Sequence, residues 1–258
     1  MKLSILLPSI RIGNIPRLHE SIAEATKESF ELIVVSPYDI PRRVLNLPNL
    51  KYIRDFGSPV RCQQIALTHA EGDWIAWAAD DGYFLPGSLD VAFNSLADKD
   101  DKTVIIGKYY EGKHSSDMEG MKYYYIYTHD ASRCRYLPQD CLMLMVGLVS
   151  RRELVEIGGF DAGFEALPMA FNDVSIRLYN DKCKFIFQQE VMFKCGHMPG
   201  IEGDHAPIHN AQTYYDLPRF KMIYSREESK QRIKIDLDNW KKAPGVWHRR
   251  FNSKLLGV

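Results

Sequence analysis

No apolar run in the 258-residue chain approaches the ~20 residues that a membrane-spanning helix needs. Charge of one sign is not in excess: thirty-three Lys and Arg balance thirty-three Asp and Glu, so bulk charge argues for neither nucleic acid nor an acidic partner. Cysteine is sparse. Cys62, Cys134, Cys141, Cys183 and Cys195 are odd in number and contain no C-x-x-C pair, which speaks against a disulfide framework or a zinc knuckle. Met1-Lys2 is followed by only five apolar-type residues before Pro8, a run that predicts a first strand rather than a secretory leader. A reducing cytoplasm is the compartment these features predict. Internal repeats and low-complexity segments are also missing.

What is present is enough apolar content, 45%, for a substantial core. Leu3 to Leu7 closes on Pro8-Ser9, and Ile15, Leu18, Ile22 and Ala25 then recur at helical spacing. Leu32 to Val35 closes on Ser36-Pro37, and Tyr52-Ile53 on Asp55-Phe56-Gly57. Ser58-Pro59 reads as an N-cap followed by proline in the first turn of a helix that stops at Gly72. Trp74 to Ala79 has strand length and ends in two adjacent carboxylates, Asp80 and Asp81, with Gly82 next. A loop and a helix through Leu89 and Leu96 follow. Strand alternates with helix four times up to residue 98, which predicts an α/β fold with a mixed, mainly parallel Rossmann-like sheet flanked by helices on both faces.

The acidic pair is the chemical centre of this pattern. Two neighbouring carboxylates repel, and a hard divalent ion, Mn or Mg, is the economical way to keep both ionised at a sheet edge where ligands bind. A solvated Asp-Asp-Gly turn is the plainer alternative.

Beyond residue 98, Thr103 to Tyr110 and Tyr123 to Tyr127 read as strands, with His129 to Gln139 a polar connection and Leu142 to Val149 another apolar run. Ser150 with Glu153 predicts a capping box for a helix from Arg151 to Ile157, ended by Gly158-Gly159. Phe171, Val174 and Leu178 share one face of the next helix, with Asp173 placed at its start. Lys184 to Lys194 is strand-like, and an irregular Gly-, Pro- and His-rich loop containing His197 runs on to His209. From Arg226 to Val258 there are nine Lys or Arg against four Asp or Glu, interleaved with Trp240, Trp247 and Phe251. This tail reads as packed back on a 1–225 domain or at a subunit contact, or as a basic aromatic surface for the inner face of a membrane.

LLPSIR, LIVVSP, SPVRCQQIAL, AADDG, IGGFD and FNDVSIRL, in that order over roughly residues 1 to 197, together resemble the family-2 glycosyltransferases of the GT-A fold. The resemblance implies inverting transfer of a sugar from a nucleotide-diphosphate donor to a hydroxyl of a glycan or lipid-linked acceptor. It implies Asp81 as metal ligand, Asp80 as a second ligand or a contact to the donor ribose, and His197 as a further metal or diphosphate contact. Asp173 matches the base position; its plainer reading is a helix carboxylate paired with Arg177 four residues on. Pro8, Ser9, Arg11 and Arg61 fall where the family meets the nucleotide. Ser36 stands where an acidic residue usually reads the base, and Asp39 is its nearest substitute.

The tyrosines Tyr109, Tyr110, Tyr123, Tyr124, Tyr125, Tyr127 and Tyr136 border the acceptor region in the resembling enzymes. Two other functions stay open: a nucleotide-sugar or glycan-binding module without turnover, and a sugar-nucleotide nucleotidyltransferase. The second calls for a glycine-rich phosphate loop after the first strand, which PSIRIGNIPR does not supply.

Overall fold

The computed structural model describes residues 2–97, 99–111, 121–122, 144–195 and 203–251. The apolar residues of β1 (Leu3–Pro8) alternate between two cores. Leu3, Ile5 and Leu7 enter one and Leu6 the other. In β2 (Phe30–Ser36), Leu32 and Val34 join the first core, Ile33 and Val35 the second. A strand buried on both faces has to be apolar at successive positions, which is why these runs show no polar alternation.

β1 lies parallel to β2 and to β4 (Trp74–Trp77), and β2 parallel to β3 (Leu50–Arg54). The first core is closed by α1 (Ile15–Ala25) and α4 (Ser88–Ser95). The second is closed by α3 (Pro59–Thr68), α5 (Arg151–Glu156), α6 (Leu167–Asn180) and α7 (Leu217–Tyr224). A short α2 (Arg42–Leu45) joins β2 to β3. The Ser58 hydroxyl accepts the Arg61 N–H at 3.2 Å, so the cap expected for α3 is formed.

The sheet continues through β8 (Gly147–Ser150), β6 (Thr103–Glu111), β9 (Lys184–Cys195) and β5 (Gly82–Phe84), in the order β3-β2-β1-β4-β8-β6-β9-β5. β7 (Met121–Lys122) pairs with β6. β8 runs antiparallel to both β4 and β6, so the sheet is mixed, as expected. β5 was not expected: the stretch after Asp81 reads as a loop, but Gly82 to Phe84 pairs antiparallel with the end of β9. The strand expected at Tyr123 to Tyr127 lies outside the described residues, as does the 129–139 connection.

Two local readings need correction. Ser150 is the N-cap residue of α5, but its hydroxyl donates to Asp101 at 3.1 Å and Glu153 takes the Cys183 thiol, so no reciprocal box forms. Asp173 is not at a helix start; it is the seventh of fourteen residues in α6. α5 ends as expected, with Gly158 at φ 87° and Gly159 at φ 72°, left-handed values that favour glycine.

Residues 226–251 form a strap with two short 3-10 turns, Glu227–Gln231 and Asn239–Lys242. It is tied down by side chains of the helices it crosses. Gln64 donates to the Leu237 carbonyl at 2.8 Å, and Asn180 to those of Ser229 and Arg232 at 3.0 Å. Its far end forms a bridge from Val246 to Phe56. No described helix is long and apolar enough to cross a membrane.

Candidate functional site

The carboxyl ends of β1, β2 and β4 open onto a cleft of about 440 Å³, a volume suited to a small ligand. Pro8, Ser9 and Arg11 from the β1 end and Asp80 and Asp81 from the β4 end line it together. The register explains the meeting: β1 and β4 are neighbours, so their terminal loops must touch.

Asp80 is 6% exposed and works as the clasp of these loops. Its Oδ2 accepts the Ser9 hydroxyl at 3.1 Å and the Ile10 and Arg11 N–H groups at 2.8 Å, while Oδ1 pairs with the Arg11 guanidinium at 2.5 Å. Burial works against the charge on Arg11, but Asp80 outweighs it and holds the guanidinium pKa above its ordinary value. The other amino group of Arg11 pairs with Asp204 at 2.6 Å, and Asp204 in turn faces His205 at 3.0 Å. A chain of polar contacts therefore runs from Asp80 through Arg11 and Asp204 to His205, along one side of the cleft.

Asp80 is taken up by these donors, and Asp81 stands next to it on the lining of the same cleft. Magnesium is commonly held by one or two carboxylates together with substrate phosphates, so Asp81 and a bound diphosphate form an adequate donor set. The other side of the cleft is apolar. Trp77 is stacked on Phe171 with centroids 5.5 Å apart, and Met145, Leu167, Pro168 and Phe193 continue that wall. Trp247, Arg250 and Phe251 of the strap close it.

Four of the residues singled out in the sequence lie elsewhere. Ser36 is fully buried and its hydroxyl accepts the Tyr38 N–H. Asp39 is on the surface, paired with Arg54 at 2.9 Å. Arg61 binds Asp55 at 2.9 Å, stacks over Trp240 and donates to the Trp240 and Ala243 carbonyls, so its charge anchors the strap and not a nucleotide.

Asp173 is 0% exposed. Its oxygens take Arg177 at 2.7 Å, the Tyr224 hydroxyl at 2.7 Å and Arg232 at 3.0 Å. Burial pushes its pKa up, but the two guanidiniums and the hydroxyl more than offset this and leave it below the usual carboxylate range. The i,i+4 pairing with Arg177 is formed, and the part of α6 that reaches the cleft carries Leu167, Pro168 and Phe171. His197 lies outside the described residues, together with all the acceptor-side tyrosines except Tyr109 and Tyr110.

Arg250 and the Asp204 carboxylate were not singled out in the sequence, and Trp247 was read there only as an aromatic of the tail. They come to the cleft by long-range packing, and no local spacing announces that.

At the opposite end of the sheet, where β6 and β9 begin, Glu153, Asp181 and Cys183 place ligand atoms within 4.8 Å of one another, a spacing that could hold a metal ion. Burial first, and then hydrogen bonding with Asp181, pushes Glu153 up to about 7, while Asp181 is held low and Lys102 pairs with it at 2.6 Å.

Sheet order and crossovers define a mixed α/β fold of the Rossmann-like GT-A type. Among solved structures the chain is similar to S. aureus TarS, at 15% identity and a TM-score of 0.54 over 93% of this chain and 50% of that one. The 1–349 portion of TarS gives a TM-score of 0.55 at 13% identity, covering 93% of this chain and 89% of that one. Its complex with UDP-GlcNAc gives 0.55 at 16% identity, over 90% and 69%. The chain spans half the length of the longer TarS structure. No protein-family model matches the chain, and no protein of curated function matches its sequence.

Proposed function

We propose that the chain is a glycosyltransferase that binds a nucleotide-diphosphate sugar in the cleft and passes the sugar, with inversion, to a hydroxyl of a glycan or lipid-linked acceptor. The observation that carries this reading is the meeting of the β1 loop and the Asp80-Asp81 loop at one end of a cleft whose other end is aromatic. A sugar nucleotide has the same division, with an anionic diphosphate in the middle and ring faces that suit aromatic walls. The similar TarS fold has been solved with UDP-GlcNAc and with UDP, which supports this class of donor.

Each group then has a task. Asp80 fixes the β1 loop and the orientation of Arg11. Asp81 would hold a divalent ion, Mn or Mg, which as a Lewis acid supplies positive charge to the departing diphosphate. Asp173 keeps the role of a buried counter-ion, because none of its surface reaches the cleft. The acceptor proton then has to pass to a group that lines the cleft, and the Asp204–His205 pair offers an imidazole held by a carboxylate at its Nδ1.

A second reading, a nucleotide-sugar-binding module without turnover, is favoured by one observation: α6 presents Phe171, not a carboxylate, to the cleft. Incubation with a panel of nucleotide sugars and Mn²⁺, following free nucleoside diphosphate, separates the two. The transferase reading expects release from at least one donor, reduced at least ~10²-fold in Asp81→Ala. Binding without release across donors and acceptors supports the module, and a chain that binds no nucleotide sugar removes both.

A further inference from the structure

Among the described residues that line the cleft, one guanidinium has no carboxylate at ion-pair distance. Arg11 is spent on Asp80 and Asp204, Arg61 on Asp55, Arg177 and Arg232 on Asp173. Arg250 also lines the cleft, yet among the described residues it has no carboxylate at ion-pair distance. Its hydrogen bond goes to the backbone carbonyl of Asp204, and it lies 5.8 Å from the centre of the Trp247 ring. Burial pulls its pKa below the ordinary arginine value. Asp204 and Asp80 act on its charge only from beyond ion-pair distance, with Arg11 opposing them, so burial still prevails, and an incoming anion in direct contact offsets that cost.

The position of Arg250 is fixed before any ligand arrives. The Trp247 N–H donates to the Phe56 carbonyl at 2.8 Å, and the Trp247 indole donates to Glu165 at 2.8 Å. Arg250 and Phe251 then donate their own N–H groups back to the Trp247 carbonyl, at 3.0 and 2.9 Å. Phe251 packs edge-on against Phe56 with centroids 5.8 Å apart. The strap thus carries an anchored turn whose outward product is a guanidinium on the same cleft as Asp81.

We infer that Arg250 is the strap's ligand for the donor diphosphate, so that residues far along the chain complete a site begun by β1 and β4. A guanidinium can meet two phosphate oxygens at once, which sets the diphosphate in register with the Asp80-Asp81 loop. This rests on the cleft being a nucleotide-sugar site, and it gives that site a specificity group independent of any cation.

The test is calorimetric titration of the full chain with UDP, GDP, TDP, uridine and inorganic pyrophosphate, in chelator and again with Mn²⁺. The variants are Arg250→Ala, Arg250→Lys and Arg152→Ala. Arg152 is exposed, pairs with Asp101 at 3.3 Å away from the cleft, and serves as control. Loss of a charge-assisted contact predicts ~10- to 100-fold weaker diphosphate binding in Arg250→Ala, with or without Mn²⁺. Partial retention is expected in Arg250→Lys, and no change in Arg152→Ala or in uridine binding. An unchanged melting temperature in Arg250→Lys ensures that any loss is local.

Diphosphate binding within twofold of the unsubstituted chain in Arg250→Ala overturns the assignment while leaving the donor reading intact. Pyrophosphate binding that depends on Arg250, without any nucleotide binding, supports Arg250 and overturns the nucleotide-sugar donor. Failure of the unsubstituted chain to bind any of the probes overturns both.

Discussion

Asp173 shows how one residue can carry two opposite expectations. Its spacing from Arg177 was visible in the sequence as an i,i+4 pair, and so was its place in an FNDVSIRL segment that points to a base. The structure realises the first, because a carboxylate buried at 0% and surrounded by two guanidiniums and a phenol is a counter-ion. Local spacing recorded the ion pair, whereas which side of α6 faces the cleft depends on packing that no motif contains. Arg61 differs for the same reason: its partners Trp240 and Ala243 lie about 180 residues away in sequence, so nothing near it predicts them. Pro8, Ser9, Arg11, Asp80 and Asp81 were legible because strand ends in a parallel sheet share one edge.

At this scale the Glu153–Asp181 pair makes a pH prediction. Glu153 is raised to about 7 when folded, against an ordinary value of 4.5. Between those values the unfolded chain releases the proton first, so stability falls as pH rises from about 4.5 to about 7, and the loss is complete above that. Glu153→Gln mimics the protonated acid and does not titrate. Its melting temperature relative to the unsubstituted chain is therefore expected to rise across that window and to level off above it. A difference that is flat from pH 4.5 to 8 would show that Glu153 keeps an ordinary pKa.

Among the elements, most strands and helices buried in the two cores were foreseen from apolar runs and breakers, but β5 and the helix Leu217–Tyr224 were not. Three residues beginning with glycine carry too little pattern to reveal a strand whose partner, β9, lies about 110 residues further on. The turn after α5 was legible from its paired glycines, and the structure adds a second reason for them. At Gly158 a side chain would meet both the left-handed backbone and the Ile235 carbonyl of the strap. Gly158→Ala is expected to cost about 2 kcal/mol or more in denaturant unfolding, since both strain and displacement contribute. Gly245→Ala, with nothing within 4 Å of the added carbon, is expected to stay within about 0.5 kcal/mol. Equal effects at the two positions would mean that the strap is not pressed against α5.

Across the whole molecule, the strap joins stability to the site. It accepts hydrogen bonds from Arg61, Gln64, Arg177 and Asn180, and it delivers Trp247 and Arg250 to the cleft. A chain stopped after Ser225 lacks both acceptors of Asn180, the strap acceptors of Arg61, Gln64 and Arg177, and one of the two guanidiniums on Asp173. It is expected to lose its cooperative thermal transition by calorimetry, and a sharp transition near that of the full chain would show that the strap is an accessory.

The strap also sets an order of events during biosynthesis. β1 to β4 can pair as they leave the ribosome, but Arg177 cannot reach the Ile233 carbonyl, nor Asp173 its second guanidinium, until some sixty residues more have been translated. The nascent chain therefore carries a buried charge network awaiting its last members, and the step that completes this network also sets the cleft wall in place.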